Sequence, residues 1–228
     1  MMDNPHFFSV SESAITVSFE NRISEKINQK ILDLAGFIKQ HPFAGMMEIV
    51  PAFSSLTLFY NPAVVRLNSP NAPTAFDAAR VYLENALQHT SETENIKKEP
   101  REIEIVFDAS EEYALDLEVI SQTKNISKQK VIEIFTSKTY RVFMLGFLPG
   151  FAYMGEVDEQ IAVPRKEAPR LKVPKGSVGI AGNQTGIYPL ESPGGWQIIG
   201  KTDTELFTPQ AGNPTFLQAG DLVKFVAK

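Results

Sequence analysis

The fold of the second half of the chain is decided by the stretch SVGIAGNQTGIYPLESPGGWQIIGKT, residues 177–202. In this stretch, short runs rich in β-branched residues alternate with the glycines and prolines that favour tight turns. Three other runs have the same character: YRVFMLGF, TELF and DLVKFVAK. Of the 14 glycines in the chain, only Gly36 and Gly45 precede residue 146. This pattern predicts a small β-barrel or sandwich.

The end of this stretch, GWQIIGKT at residues 195–202, has the letter spacing of a phosphate-binding P-loop. A P-loop requires a glycine-rich turn that opens a helix, so that backbone N–H groups converge on the phosphate. The four residues between its first two glycines are bulky or β-branched and suit a strand. Pro209 and Pro214 then leave no room for a useful helix. We therefore predict a strand that ends at Gly200.

The first half of the chain alternates between strand and helix periods. AITVSFE places Ile15, Val17 and Phe19 on one strand face. Two apolar stripes predict helices; the first ends at His41-Pro42, and Thr74 begins the second with Asp77 at capping-box spacing. The stripes comprise Ile23, Ile27, Ile31, Leu34 and Ile38 in the first helix and Phe76, Ala79, Leu83 and Leu87 in the second.

Three more strands complete this half: MMEIVP and SSLTLFY between the helices, and EIEIVF after the second helix. The resulting order, β-α-β-β-α-β, is that of the ferredoxin-like split unit. Residues 112–138 then predict two short helices that bridge the halves. The second of these has Ser127 as its N-cap and buries Val131, Ile134 and Phe135.

Composition limits the classes of function. A net charge of -5 and a pI near 5.3 argue against a general nucleic-acid binder. No run approaches the roughly 18 apolar residues of a membrane span, and the N-terminus lacks a signal-peptide pattern, so we expect a cytoplasmic protein without membrane contact. The absence of cysteine excludes disulfides and cysteine nucleophiles. His6, His41 and His89 all lie in the first half, and none has metal-ligand spacing; we expect no metal site.

Three features of the second half could form a binding site. The loop GFLPGFAYMG could line a pocket with Phe147, Phe151 and Tyr153, although its glycines also suit barrel corners. VPRKEAPRLKVPK is held extended by its prolines, and its arginines could fork onto a carboxylate or phosphate, or they could guard an exposed strand edge. Trp196, the single tryptophan, fits either a core position or a pocket wall.

Together, YRVFMLGFLPGFAYMG, the segment from VPRKEAPRLKVPK to QIIGKT, and AGDLVKFV resemble the PxpB/KipI family. This family comprises the B subunit of 5-oxoprolinase, also called allophanate hydrolase subunit 1 or kinase A inhibitor, and corresponds to carboxyltransferase subdomains C and D. The resemblance implies an α+β N-terminal ferredoxin-like domain over residues 1–100. A helical connection and an all-β cyclophilin-like barrel would follow over residues 101–228, related to part of urea carboxylase.

The resemblance also implies a function. Similar proteins act with a homologous PxpC/KipA-like protein and a separate PxpA protein, which is LamB/YcsF-like, to open the lactam of 5-oxoproline to L-glutamate with hydrolysis of ATP. ATP would act at the level of the complex, with none assigned to this chain, and the isolated chain would be inactive. The alternative is an inhibitor that binds a sensor histidine kinase and blocks its autophosphorylation. A prolyl isomerase would rest on architecture alone.

Carried over position by position, the resemblance implies a set of site residues. The candidates for catalysis are Arg165, Arg170 and Gln184, and those for substrate binding are Pro149, Gly150, Tyr153, Thr185, Gly194, Gly195 and Trp196. Two positions depart from the family: relatives often carry histidine in place of Phe135 and of Ala162. If those histidines act chemically in relatives, this chain has lost that chemistry; if they only pack, nothing changes.

Overall fold

A computed structural model of the chain describes residues 5–20, 22–90, 99–107 and 113–228. The chain divides into two compact units, residues 1–96 and 97–228. In the ranges that the structure describes, no helix is both long enough and apolar enough to cross a bilayer. The cellular location stays a prediction from the sequence.

The described residues of the first unit form a four-stranded antiparallel sheet with three helices. Its sheet order is β1-β2-β4-β3. The elements are β1 (His6–Ser11), β2 (Ala14–Ser18), α1 (Glu25–Gln40), β3 (Met46–Pro51), β4 (Ser55–Tyr60), α2 (Pro62–Asn68) and α3 (Ala75–His89). The inward faces of β2 and β4 pack against α1 and α3 in one apolar core.

Both predicted apolar stripes lie against this core. In α1, four of the five stripe residues are buried, whereas Ile23 precedes the helix, because the Ser24 hydroxyl caps it by accepting a hydrogen bond from the Ile27 N–H. His41 ends the helix as predicted, and its N–H bonds the Phe37 carbonyl. Thr74 begins α3 as predicted, accepting a hydrogen bond from the Asp77 N–H at 3.0 Å. Helix α2 and strand β1 were not predicted.

The ferredoxin-like order is not confirmed in its last strand. EIEIVF was expected to join the first sheet, but residues Arg101–Ile105, strand β5, lie in the second unit and pair in parallel with its last strand. The place beside β2 is taken by β1, which forms a hairpin with it. A two-residue hairpin connection brings β1 beside β2 at low entropic cost, so the sheet is complete without β5.

Where the structure describes it, the second unit is a nearly closed β-barrel with two helices. Its seven-stranded sheet has the order β12-β9-β10-β7-β6-β13-β5, and the backbones of Val106 and Lys201 exchange two hydrogen bonds, of 2.8 and 3.0 Å, that join the two edges. A separate two-stranded antiparallel sheet pairs β8 with β11. The elements after β5 are α4 (Leu117–Lys124), α5 (Lys128–Ser137), β6 (Thr139–Leu145), β7 (Ala152–Gly155), β8 (Arg170–Val173), β9 (Ser177–Ala181), β10 (Gln184–Ile187), β11 (Ser192–Gly194), β12 (Gln197–Lys201) and β13 (Leu222–Ala227).

The predicted barrel is therefore confirmed, and its likeness to cyclophilin stays a prediction. The P-loop letters fall on β12, a strand as predicted, whose Lys201 ammonium lies 5.0 Å from the centre of the Tyr113 ring. TELF was expected to form a strand, but it makes only the single bridge between Phe207 and Thr215. The prolines that flank this bridge, which lack an N–H group, limit further pairing.

Helix α5 closes part of the barrel core. Ser127 caps it as predicted, accepting from the Lys130 N–H at 3.1 Å, and Val131, Ile134 and Phe135 are buried. The Phe135 ring is fully buried and stacks on Phe225 with centroids 5.0 Å apart. Position 135 is thus a packing position in this chain. Ala162 is half-buried and packs against the same core.

Closure of the barrel depends on Gly200. A Cβ atom there would lie 2.6 Å from Ile105 Cγ2 and 2.9 Å from the Val106 carbonyl oxygen, on the opposite side of the seam. We expect Gly200→Val to lower the free energy of unfolding by about 1–3 kcal/mol, the usual cost of overpacking. Urea denaturation measures this. Gly212→Ala is the control, because a Cβ there meets nothing within 4 Å; equal stability of the two variants would contradict the prediction.

Candidate active site

An aromatic cluster lies outside the main barrel core. It consists of Phe151, Tyr153, Tyr188 and Trp196, and its core also includes Ile198 and Val173. The Phe151 ring is perpendicular to both Tyr188, at 5.3 Å between centroids, and Trp196, at 5.5 Å. The Trp196 side chain is only 4% exposed, so this tryptophan is a core residue of the cluster.

Arg165 lies over this cluster. Its guanidinium carbon is 5.8 Å from the centre of the Trp196 ring, within the range of a cation–π interaction. The backbone is fixed on both sides of Arg165. The backbone N–H of Lys166 donates to the Gly195 carbonyl at 2.8 Å, and the side-chain amide of Gln197 donates to the Pro164 carbonyl at 3.3 Å. Arg165 is exposed and has no ion-pair partner among the described residues. It is therefore a positioned cation that is open to an anion.

A second cation is held by Asp116, which is 1% exposed. One carboxylate oxygen, Oδ1, accepts hydrogen bonds from Arg170 Nη2 at 2.6 Å and from Lys166 Nζ at 3.1 Å. The other, Oδ2, accepts from the Ile198 N–H at 2.7 Å. Asp116 occupies the N-cap position of α4 but makes no capping bond, because its side chain instead ties the basic segment and β12 together.

These hydrogen bonds change the pKa of Asp116. Burial alone would raise it, but the bonds from Arg170, the Ile198 N–H and Lys166 outweigh burial and hold the pKa below its ordinary value. The carboxylate therefore stays ionised at neutral pH. Two cations share this one anion, so the group carries a surplus positive charge.

One guanidinium nitrogen of Arg170 makes no hydrogen bond within the described fold. This atom, Nη1, is buried and has no hydrogen-bond partner among the described residues, whereas Nη2 is fixed on Asp116. A buried donor without an acceptor is costly, and such groups point to function when they occur in a folded protein. An anionic ligand would supply the missing acceptor only after the side chain shifts, because Nη1 is closed to solvent.

The charges of both arginines act on the Tyr188 hydroxyl. Burial raises its pKa, while a hydrogen bond from the Trp196 backbone and the charges of Arg165 and Arg170 partly oppose the rise. Both guanidinium groups thus act on one hydroxyl. Gly194, which pairs with Arg170 between β11 and β8, is required here because a Cβ atom would overlap the Tyr188 hydroxyl oxygen.

The structure brings together six of the ten predicted site residues: Tyr153, Arg165, Arg170, Gly194, Gly195 and Trp196. For the other four, the structure shows contacts with other parts of the barrel or exposure to solvent. Thr185 is fully buried, and its hydroxyl donates to the Gly179 carbonyl at 2.9 Å, which makes it part of the barrel. Gln184 pairs with Gly155 and Ala181. Pro149 is exposed, and Gly150 packs closely against Leu206 and Phe207.

Three residues of this group were not among the predicted site residues: Asp116, Lys166 and Tyr188. Lys166 lies in the basic segment that was singled out. The sequence did hold one signal for Asp116, which lies between Leu115 and Leu117. An acid in such an apolar context is buried only when cations or hydrogen-bond donors compensate its charge.

A cavity of about 190 Å³ lies at a different place, beside the barrel seam. Its lining consists of Glu102, Glu104, Val106, Lys201, Thr202, Asp203, Thr204 and Lys228, and none of these belongs to the aromatic cluster. Throughout the described ranges, no three acidic or histidine residues come together as a metal site would require.

Residues 5–217 match the family described as carboxyltransferase domain, subdomain C and D, and the chain belongs to this family. Its relatives include the 5-oxoprolinase B subunit of Bacillus subtilis strain 168, which is 41% identical over 95% of this chain and 90% of that protein. The protein of the same name from Escherichia coli O157:H7 is 36% identical over 99% of this chain and 97% of that protein.

Solved structures share the fold of this chain. The crystal structure of TTHA0988 has a TM-score of 0.79 and 31% identity; the match covers 94% of this chain, which spans 40% of that longer chain. The Kluyveromyces lactis urea carboxylase, with a TM-score of 0.77 and 18% identity, shares the fold; this chain spans 22% of its length.

Proposed function

We propose that this chain is the B subunit, PxpB, of an ATP-dependent 5-oxoprolinase complex that opens 5-oxoproline to L-glutamate. The observation that carries the proposal is the match with curated relatives along nearly their whole length, 90% and 97%. Its partners would be a homologous PxpC/KipA-like protein and a separate PxpA protein.

The chemistry of the candidate site fits this substrate. The substrate 5-oxoproline carries one carboxylate on a compact ring that contains a planar amide. A guanidinium binds a carboxylate through charge-assisted hydrogen bonds, and Arg165 is free for this while Arg170 has an unused Nη1 atom. The half-buried Tyr153 would provide apolar surface beside the ring, and the buried Tyr188 and Trp196 would pack behind it.

The chain would bind and orient the substrate rather than attack it. The amide of the lactam is resonance-stabilised, and coupling to ATP would activate it at the level of the complex. Residues 195–202 do not fit a triphosphate, because they form strand β12 and carry no helix N-terminus. The arginines would contribute electrostatic stabilisation, and the isolated chain would be inactive.

Reconstitution tests this proposal. We expect glutamate release from 5-oxoproline when this chain is mixed with PxpA, PxpC and ATP, and no release when any one component is omitted. A complex that hydrolyses ATP without releasing glutamate would contradict the proposal. The inhibitor of a sensor histidine kinase stays the alternative hypothesis, and autophosphorylation of such a kinase in the presence of the isolated chain is its separate test.

A further inference from the structure

The loop between β6 and β7 holds one residue in a costly backbone conformation. Phe147 has φ of 70°, in the left-handed region, where a bulky side chain is an outlier. Among the described residues, the other non-glycine residue with positive φ is Asn125, a type that tolerates this conformation. The loop is closed by hydrogen bonds from the Gly146 N–H to the Phe151 carbonyl and from the Phe151 N–H to the Leu148 carbonyl.

This conformation holds the Phe147 ring at the edge of the aromatic cluster. The ring is perpendicular to Phe151, at 5.5 Å between centroids, and to Tyr188, at 6.4 Å. Phe147 is nevertheless 60% exposed, so burial gives little compensation for the strain. Backbone strain that the fold does not need is concentrated at functional sites.

We propose that Phe147 is a ligand-contacting residue that covers the apolar side of a small, planar, carboxylate-bearing ligand held by Arg165 and Arg170. The inference rests on the proposed function. Tyr188 connects the two halves of the site, because its ring lies 6.4 Å from that of Phe147 and its hydroxyl lies against Gly194, the residue that pairs with Arg170. A ligand whose carboxylate lies at the guanidinium groups would place its ring towards Phe147.

The test measures 5-oxoproline binding to the full chain assembled with PxpA and PxpC. Fluorescence of Trp196, the single tryptophan of this chain, reports occupancy after tryptophans in the two partner proteins are replaced by phenylalanine. We expect Phe147→Gly and Phe147→Ala each to weaken binding by about 3- to 10-fold, the effect of losing one ring contact. Phe147→Tyr retains the ring and should bind as the wild type does.

Thermal melting of the same variants separates ligand contact from strain. Because glycine tolerates positive φ and alanine does not, Phe147→Gly should melt about 2–4 °C above Phe147→Ala, although both lose affinity. Wild-type affinity in both variants would overturn the inference and leave the proposed function standing. Failure of the wild-type assembly to bind 5-oxoproline would overturn both.

Discussion

Replacement of Asp116 by alanine is expected to lower the free energy of unfolding by about 3 to 5 kcal/mol, the cost of breaking a buried ion pair. The change leaves the cations of Lys166 and Arg170 without their anion and the Ile198 N–H without its acceptor. Urea denaturation at neutral pH measures the effect. The matched control is Glu205→Ala, which removes an exposed partner of Lys175 and should cost less than about 1 kcal/mol.

The same carboxylate predicts a dependence of stability on pH. The folded pKa of Asp116 lies below its ordinary value, which is about 4. Its contribution is therefore complete above the unfolded pKa and is lost as the pH falls through the folded pKa. The wild type should lose more stability than Asp116→Asn between neutral pH and about pH 3. Equal losses of stability in the wild type and Asp116→Asn would contradict this prediction. An Asp116→Ala protein as stable as the wild type would show that Asp116 does not hold the basic segment through Lys166 and Arg170.

Replacement of Arg170 by alanine is expected to lower kcat/KM of the reconstituted complex by about two orders of magnitude. This is the effect of losing a charged hydrogen bond worth about 3 kcal/mol. Arg170→Lys retains the charge but loses the planar fork and should recover only part of the activity. Glutamate release, corrected for the folded fraction of each variant, measures both.

Two comparisons separate activity from stability in this experiment. Arg165→Ala should lower activity and cost at most about 1 kcal/mol of stability, the value of its exposed contact with Trp196, whereas Arg170→Ala should lower both strongly. The control is Lys172, which lies on β8 with Arg170 and forms an exposed ion pair with Glu191. Lys172→Ala should change neither activity nor stability. Wild-type turnover by folded Arg170→Ala would remove Arg170 from the site.

The sequence predicted the elements that local patterns specify. Ser127 and Thr74 were recognised as helix caps because each bonds a backbone N–H three residues later, and buried stripes mark α1, α3 and α5. The partner of β5 could not be predicted in this way. Its pairing with β13 joins residues 101 and 223, and nothing within either strand specifies a partner so distant.

The site was predicted in part for the same reason. Arg165, Arg170 and Trp196 were recognisable because guanidinium and indole groups suggest ligand chemistry wherever they occur. Asp116 was missed because its partner Arg170 lies 54 residues away and no motif joins them. The Thr185 hydroxyl bonds a neighbouring strand, a contact that its position in GNQTG does not reveal, and its role in the site stays a prediction.

The central claim is that Arg165 and Arg170 hold the carboxylate of the substrate. The most direct test compares 5-oxoproline with 2-pyrrolidinone, the same lactam without the carboxylate, as ligands of the assembled wild-type, Arg165→Ala and Arg170→Ala proteins. We predict that the two variants bind 5-oxoproline at least about tenfold more weakly than the wild type and bind 2-pyrrolidinone equally well. Equal losses of affinity for both ligands, or no loss for either, would contradict the claim.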